Sequence, residues 1–416
     1  MSSIKQLKEE KIMSKKEICI IPSTKITCEN LIQKEISNVV QGDAIVSQNG
    51  MEQIIKKITP RKIDEDIYKL DIQSENENLN IMGNQNVRAI RAKDISCKFK
   101  LNNKRPQKCT FLLHKSCSTI KNRSGCSCII KDLKIQNIKI SDLKENDYLI
   151  YPLYKKNNIV PNDMNINRAR LLGYYTAEGC TGINEKKSIF RVQFTLNIDE
   201  KETLAKEISE LVKIEFGATV GFYSYPNFPN TLTLIFQSKK AIDFFTKYCP
   251  GKAPQKVFRN EILNLPDELQ KNIVACYILG DGHFSIRDNI VKEISISSAS
   301  GNLLWQVKNM IHQWGMGTAK IREGESEYKS KISDKIFTGY SISFSDSTAQ
   351  VLLKFFKHIE FSLRSNTTKN SCVIMDGFVL KRINKIDIIR YKGRAYGLQI
   401  RNKNSCIANG IVINNG

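Results

Sequence analysis

A chain of 416 residues, 41% of them apolar, is long enough for two or three domains and apolar enough to give each a core. No stretch approaches the roughly 18–20 uninterrupted apolar residues of a membrane span, and the charged opening MSSIKQLKEEKIMSKKE lacks the apolar core of a signal peptide. A soluble, intracellular protein of cytoplasm or nucleus is expected, and its net charge of +22 favours a polyanionic partner, nucleic acid first.

In chain order, residues 1–18 read as a charged tail and residues 19–90 as short β segments with little helical periodicity: STKITCENL, DAIVSQNGMEQIIKKI, IYKLDIQ. Asn49-Gly50 is a hairpin signal. Five of the twelve cysteines then crowd between Cys97 and Cys128, in a stretch with eight Lys or Arg and no acid. Cys97, Cys109, His114, Cys117, Cys126 and Cys128 offer more than the four ligands of a structural zinc site, with Cys109, Cys117, Cys126 and either Cys128 or His114 as the expected set. The spacing is irregular, and a flexible basic loop with incidental thiols is the alternative. In either case Lys98, Lys104, Arg105 and Arg123 would serve as a phosphate-binding arm.

Beyond residue 156 the pattern becomes helical and repeats after about a hundred residues. LLGYYTAEG (171–179) and VACYILGDG (274–282) each close an apolar run with a carboxylate and a glycine. After each comes an alternating strand (FRVQFTLN; KEISISS), then a helix ending near Gly217 or Gly315. Each copy adds a strand (TLTLIFQ; YSISFSD) and a last helix (AIDFFTKYC; AQVLLKFFKHI). Duplicated units of this kind pack about a pseudo-twofold axis. Residues 373–415 return to β character.

The acids are out of place locally. A helix C-terminus carries partial negative charge, which disfavours Glu178 and Asp281 there. The following glycines read as ordinary left-handed caps. If the two helices pack across the pseudo-axis, with Gly173, Ala275 and Cys276 allowing close approach, the acids stand side by side and repel unless a proton or a hard divalent cation intervenes. Paired acids, such a cation and affinity for DNA point to phosphodiester hydrolysis.

LLGYYTAEG and VACYILGDG resemble the paired motifs of LAGLIDADG homing endonucleases, and LPDELQKNIVACYILGDGHF resembles the proline-led approach to the second motif in single-chain members. The resemblance implies an α/β saddle whose motif helices form the interface and whose penultimate acids, here Glu178 and Asp281, bind catalytic Mg²⁺ or Mn²⁺. Glu replaces Asp in the first copy, Thr176 replaces an aspartate and Cys276 a glycine. GKAPQKVFRNEI is similar to the family's basic block and makes Lys256 a catalytic candidate; RSNTTKN suggests Lys369. His283 reads as a polar loop histidine. Gln193, Thr195, Thr233, Ser295, Ser297 and Ser341 alternate along the strands that would read DNA in the major groove.

The flanks resemble the Hint fold of inteins, which often carry such endonucleases as insertions. CIIPSTKITCENL resembles an intein start with Cys19 as first nucleophile, ISDLKENDYLIYP the segment before the insertion, and YGLQIRNKNSCIANGIVINNG the terminal blocks with Asn415 as the cyclising residue. The activating residues are missing. Met82 and Gln85 stand where the resemblance implies Thr and His, Asn414 where it implies His, and Gly416 where it implies a nucleophile. With 18 residues before Cys19 and one after Asn415, little host protein remains.

The expected fold class is therefore α+β: a two-repeat endonuclease domain at 156–370 inserted in an all-β Hint-like domain formed by 19–155 and 371–416. The expected function is site-specific, metal-dependent cleavage of duplex DNA by a monomer with a long asymmetric target, on a splicing-dead scaffold. An active intein and a non-cleaving maturase-like or repressor-like binder are the alternatives. The lost histidines oppose the first and the retained acids the second.

Overall fold

The computed structural model describes residues 18–73, 75, 78–94, 134–287, 290–329, 334–345, 351–357, 373–375, 377–401 and 405–414. The zinc candidates Cys97, Cys109, His114, Cys117, Cys126 and Cys128, the basic residues Lys98, Lys104, Arg105 and Arg123, and Lys369 and Asn415 all lie outside them. The chain divides into two compact units, Met1–Lys155 with Asn370–Gly416, and Lys156–Lys369. It is a mixed α/β protein. Among the described residues no helix is long and apolar enough to cross a membrane.

The first unit begins with β1 (Ile18–Ile20), β2 (Lys25–Thr27), β3 (Gln33–Glu35), β4 (Ala44–Val46), β5 (Glu52–Ile72), β6 (Leu79–Met82), β7 (Asn86–Ile90), β8 (Gln136–Lys139) and β9 (Tyr148–Pro152). The Asn49-Gly50 turn joins β4 to β5 with Gly50 at φ +73°.

The second unit opens with α1 (Ile166–Glu178), β10 (Gly179–Asn184), β11 (Ile189–Asn197), α2 (Lys206–Phe216), β12 (Gly221–Tyr225), β13 (Phe228–Gln237) and α3 (Lys239–Tyr248). A helical turn, α4 (Asn260–Leu263), leads into the second copy: α5 (Asp267–Asp281), β14 (Gly282–Arg287), β15 (Ile290–Ser298), α6 (Gly301–Gln313), β16 (Arg322–Lys329) and β17 (Asp334–Ser345). Only residues 351–357 of the helix expected after β17 are described, and they contain a short 3-10 turn, Leu353–Phe355.

The chain then re-enters the first unit as β18 (Val373–Met375), β19 (Phe378–Ile400), β20 (Ser405–Ala408) and β21 (Ile411–Asn414). These strands interleave with the early ones: β19 runs between β9 and β1, β20 pairs β2, and β21 pairs β7, in one thirteen-stranded sheet. Neither half completes that sheet alone.

The internal repeat is visible in register. The two smaller sheets are antiparallel with orders β10-β11-β13-β12 and β14-β15-β17-β16. Gly179 opposes Phe194 as Gly282 opposes Ile296, and Thr195 opposes Thr233 as Ser297 opposes Ser341. Alternation explains the faces. Val192, Phe194 and Leu196 are buried, as are Ile294 and Ile296, while the intervening residues point away from the core.

Helices α1 and α5 pack so closely that side-chain size is decisive. A Cβ on Gly173 would lie 2.3 Å from the Ile273 carbonyl oxygen and 2.7 Å from Cys276 Cβ. One turn on, a Cβ on Gly280 would lie 2.5 Å from Ala177 Cβ. Gly173 and Cys276 hold equivalent places in the two motifs, as do Ala177 and Gly280, so each repeat meets its own counterpart. The first copy also buries a charged set. Arg170 Nε donates to Glu207 Oε1 at 2.6 Å and Tyr174 Oη to Glu207 Oε2 at 2.8 Å, tying α1 to α2. Each group offsets the desolvation of the other.

The glycines after the two acids are not left-handed caps. Gly179 has φ −90° and Gly282 φ −91°, both extended, each leading directly into a strand. Glycine is needed for space: a Cβ would sit 2.3 Å from Tyr175 Cδ2 in the first and 2.2 Å from the Ile278 carbonyl oxygen in the second. Left-handed caps do occur where α2 and α6 end, at Gly217 (φ +64°) and Gly315 (φ +79°).

Trp305 and Trp314, the two tryptophans of the chain, both lie in the second unit, so tryptophan fluorescence reports its unfolding alone. Gly173→Ala is expected to lower the stability read this way in urea by about 1–3 kcal/mol through overpacking. Gly324→Ala, at an edge strand with nothing within 4 Å, should change it by less than about 0.5 kcal/mol. Equal effects would mean that the helix approach is looser than described.

Candidate active site

The repeat brings two carboxylates together. Glu178 is the last residue of α1 and Asp281 the last of α5. The position a Gly280 Cβ would take is 3.2 Å from Glu178 Cγ and 3.7 Å from Glu178 Oε1, so Glu178 lies against the end of α5. Glu178 is partly buried and Asp281 opens to solvent.

Burial, with Asp281 and then Glu200 adding repulsion, pushes the Glu178 carboxyl up to about 8, against the opposing charge of Lys256. Asp281 is also raised, by desolvation, with Lys256 again opposing. The exposure of Asp281 screens that shift. Two acids this close titrate as a pair, which near neutral pH retains a proton.

Lys256 sits beneath the pair and is 6% exposed. Its ammonium donates to the carbonyl oxygens of Tyr175 at 2.8 Å, Thr176 at 3.0 Å and Gly179 at 2.8 Å. All three of its protons are used on the end of α1, and the charge lies 4.9 Å from the Tyr175 ring centre. This geometry supports a positioning role, a cationic cap on the helix terminus, and leaves no proton for a substrate. Thr176 donates back to the Leu172 carbonyl at 2.7 Å.

Around the acids, outward rows run across both sheets. One crosses Cys180, Gln193, Ile235 and Gly221; the next crosses Thr195, Thr233 and Tyr223. Their counterparts are His283, Ser295 and Ser343, then Ser297, Ser341 and Arg322. Thr195 and Ser297 are exposed and Gln193, Ser295 and Ser341 partly so, but Thr233 is buried. His283 belongs to strand β14 and is not in a loop. Arg191, exposed and beside Gly182, was missed by the sequence reading, although it lies two residues before Gln193 on the same face.

Two adjoining carboxylates, one half-buried and one open to solvent, suit a small hard cation, which binds through one or two carboxylates and keeps several waters. Among the described residues no group of three or more His, Cys, Asp or Glu is placed to hold a metal ion. Glu178 and Asp281 would therefore be the side-chain ligands.

In the first unit, Cys19 is buried in a cluster with Ile21, Ile67, Met82 and Ala395. Burial, with the Glu65 charge adding, pushes its thiol up to about 11. Gln85 is buried and donates to Asn84 Oδ1 at 3.1 Å, and Asn414 donates to Asn137 Oδ1 at 3.0 Å. The only histidines among the described residues are His283 and His312, both of the second unit.

No family model and no curated protein matches the chain. Among solved structures, it is similar to I-DmoI in complex with DNA and Mn, with 14% identity and a TM-score of 0.30 over 46% of this chain and 95% of that one. It is similar to the N-terminal LAGLIDADG domain of DUF199/WhiA, with 12% identity and a TM-score of 0.31 over 48% and 87%. Full-length DUF199/WhiA from Thermatoga maritima gives 11% and 0.30 over 48% and 57%.

The acid pair predicts a pH response with a definite sign. Because the folded state raises the Glu178 pKa to about 8, it binds more protons than the unfolded state above the usual carboxylate range. Without divalent metal, the stability of the second unit should therefore fall as pH rises from about 4.5 toward 8. Added Mg²⁺ should raise the urea midpoint more at about pH 8 than at about pH 5.5, because protons compete for the same oxygens. Glu178→Gln should flatten both responses; unchanged responses in that variant would remove Glu178 from the site.

Proposed function

We propose that the second unit is a divalent-metal-dependent endonuclease that cuts duplex DNA at a specific site, and that the first unit is a Hint-like domain that no longer splices. The endonuclease reading rests on one observation: two equivalent helices, packed through glycines, present two acids that repel each other at the same point. A protein that only bound DNA would gain stability and phosphate affinity by losing both charges.

A bound Mg²⁺ or Mn²⁺ would polarise the scissile phosphate and lower the pKa of its water. Glu178 and Asp281 would hold the ion, and Lys256 keeps the helix end that carries Glu178 in place. Gln193, Thr195, Ser295 and Ser297 point outward from the sheets with donors and acceptors suited to base edges in the major groove. Thr233 is buried and supports Thr195, with no free path to a base. The basic side chains, Arg191 and those of the Cys97–Cys128 segment included, supply phosphate contacts that fix register without reading sequence. The protein acts as a monomer, since one chain supplies both acids and both sheets, and the unlike halves suit a long asymmetric target.

Glu178→Gln and Asp281→Asn should each abolish Mg²⁺-dependent cleavage of a pool of long duplexes, scored by sequencing cut ends, and leave gel-shift affinity within about threefold. Full cutting by either variant would end this reading.

For the first unit, loss of splicing follows from Cys19, whose thiol is buried in an apolar cluster and held protonated, and from Gln85 and Asn414 in place of proton carriers. Residues 19–415 between reporter halves, followed by serine, should yield no ligated product. Gln85→His with Asn414→His should restore cleavage after Asn415. Efficient ligation by the unaltered sequence would contradict the proposal.

A further inference from the structure

One surface of the second unit is unlike the rest of the chain. In a protein that is 25% charged, residues 216–238 contain no Asp, Glu, Lys, Arg or His. They form the β12–β13 hairpin, where Phe222, Tyr223, Tyr225 and Phe228 are 41%, 48%, 48% and 63% exposed. Tyr223 stands in the outward row with Thr233 and Thr195, and Tyr225 pairs with Phe228 at the hairpin end. β12 is an edge strand. Exposed aromatics on an open edge invite association unless something covers them. The equivalent hairpin of the second copy differs: β16 carries Arg322, Glu323, Glu325 and Glu327.

We propose that the β12–β13 hairpin is a non-ionic nucleic-acid contact, in which Tyr223, Tyr225 and Phe228 pack against the bases of duplex DNA flanking the cut. The inference rests on the reading of the second unit as a DNA-binding enzyme. Duplex DNA is favoured as the occupant on two grounds. The hairpin continues the same outward row as Thr195, beside the acid pair, and it carries no anion to repel phosphate in a chain of net charge +22. Apolar and aromatic side chains inserted at a base step of a duplex pack on the bases they part and can bend it. The hairpin of the other copy, whose strand β16 carries acidic and basic residues, would meet the DNA by different physics, and the bound duplex would gain a direction.

The test separates bases from charge. Full-length protein and the variant Tyr223→Ser/Tyr225→Ser/Phe228→Ser would be titrated with random-sequence duplex DNA and with heparin, a polyanion without bases, across a salt series. The variant should lose about tenfold or more in duplex affinity with the log–log salt slope unchanged, and heparin affinity should stay the same. Equal losses for both probes, a flatter slope, or unchanged duplex affinity would overturn the proposal. So would light scattering that shows a wild-type dimer and a monomeric variant, since the hairpin would then bind a second copy. If the triple variant melts early, Phe228→Ser alone carries the test, with a loss of about threefold expected. Mg²⁺-dependent cutting by the wild type is scored separately. Base-dependent binding through the hairpin without any cutting would sink the endonuclease reading and leave this one standing.

Discussion

The second unit turns on the ammonium of Lys256. Helix α1 ends on a carboxylate, where its own carbonyls already present negative potential, and the ammonium lies inside that terminus with three hydrogen bonds to it. Desolvation lowers the lysine's pKa, while Cys249, Asp281, Cys180 and Glu178 push the other way. The segment that carries it is fixed in turn. Ser300 Oγ donates to the Lys256 carbonyl at 2.7 Å, and Gln306 exchanges two hydrogen bonds with the Phe258 backbone. The cation that steadies the first motif is thus anchored to α6 of the second copy.

Glu207 and Gln306 show how a duplicated frame diverges. They hold matching places on α2 and α6, one position before the core residues Ile208 and Val307. Glu207 takes up Arg170 and Tyr174 from α1; Gln306 takes up the backbone that carries Lys256. The same frame position serves a buried ion pair in one half and a neutral clamp in the other. A neutral clamp adds no charge near the acids, whereas Glu207 answers two cations, Arg170 at 2.6 Å and Lys357 at 3.4 Å.

The sequence made some of this legible and not the rest, for physical reasons. Helices α1 and α5 are buried on every side over residues 169–176 and 272–279 and so read as apolar runs, whereas strands β11, β13, β15 and β17 bury one face and their apolar residues alternate. The edge strands β12 and β16 bury little, and GFYSY and REGESEYK show no clear alternation to read. The long ribbon of β5 and β19 was legible only in pieces, because KITPRKIDED is polar and contains Pro60, which sequence reasoning keeps out of strand interiors. Repetition marks both acids in the sequence. The hydrogen bonds of Lys256 leave no such mark, since its partners lie 77–81 residues away and only the fold brings them together. The glycines after the acids were noticed correctly and explained wrongly: close approach of the preceding turn, not a left-handed backbone, excludes a Cβ.

That close approach also explains why the acid pair persists. Left to themselves, two carboxylates at two helix ends would separate, since each gains solvation by moving outward. Gly173 against Cys276 and Gly280 against Ala177 make separation costly, because it would open a gap in a packed interface. The apolar contact thus holds the charges where neither protonation state is comfortable: both ionised repel, and a retained proton leaves a shared buried acid. Under the proposed function a divalent cation would relieve both conditions at once, and the repulsion that lowers the stability of the metal-free fold would then contribute to the affinity for the ion.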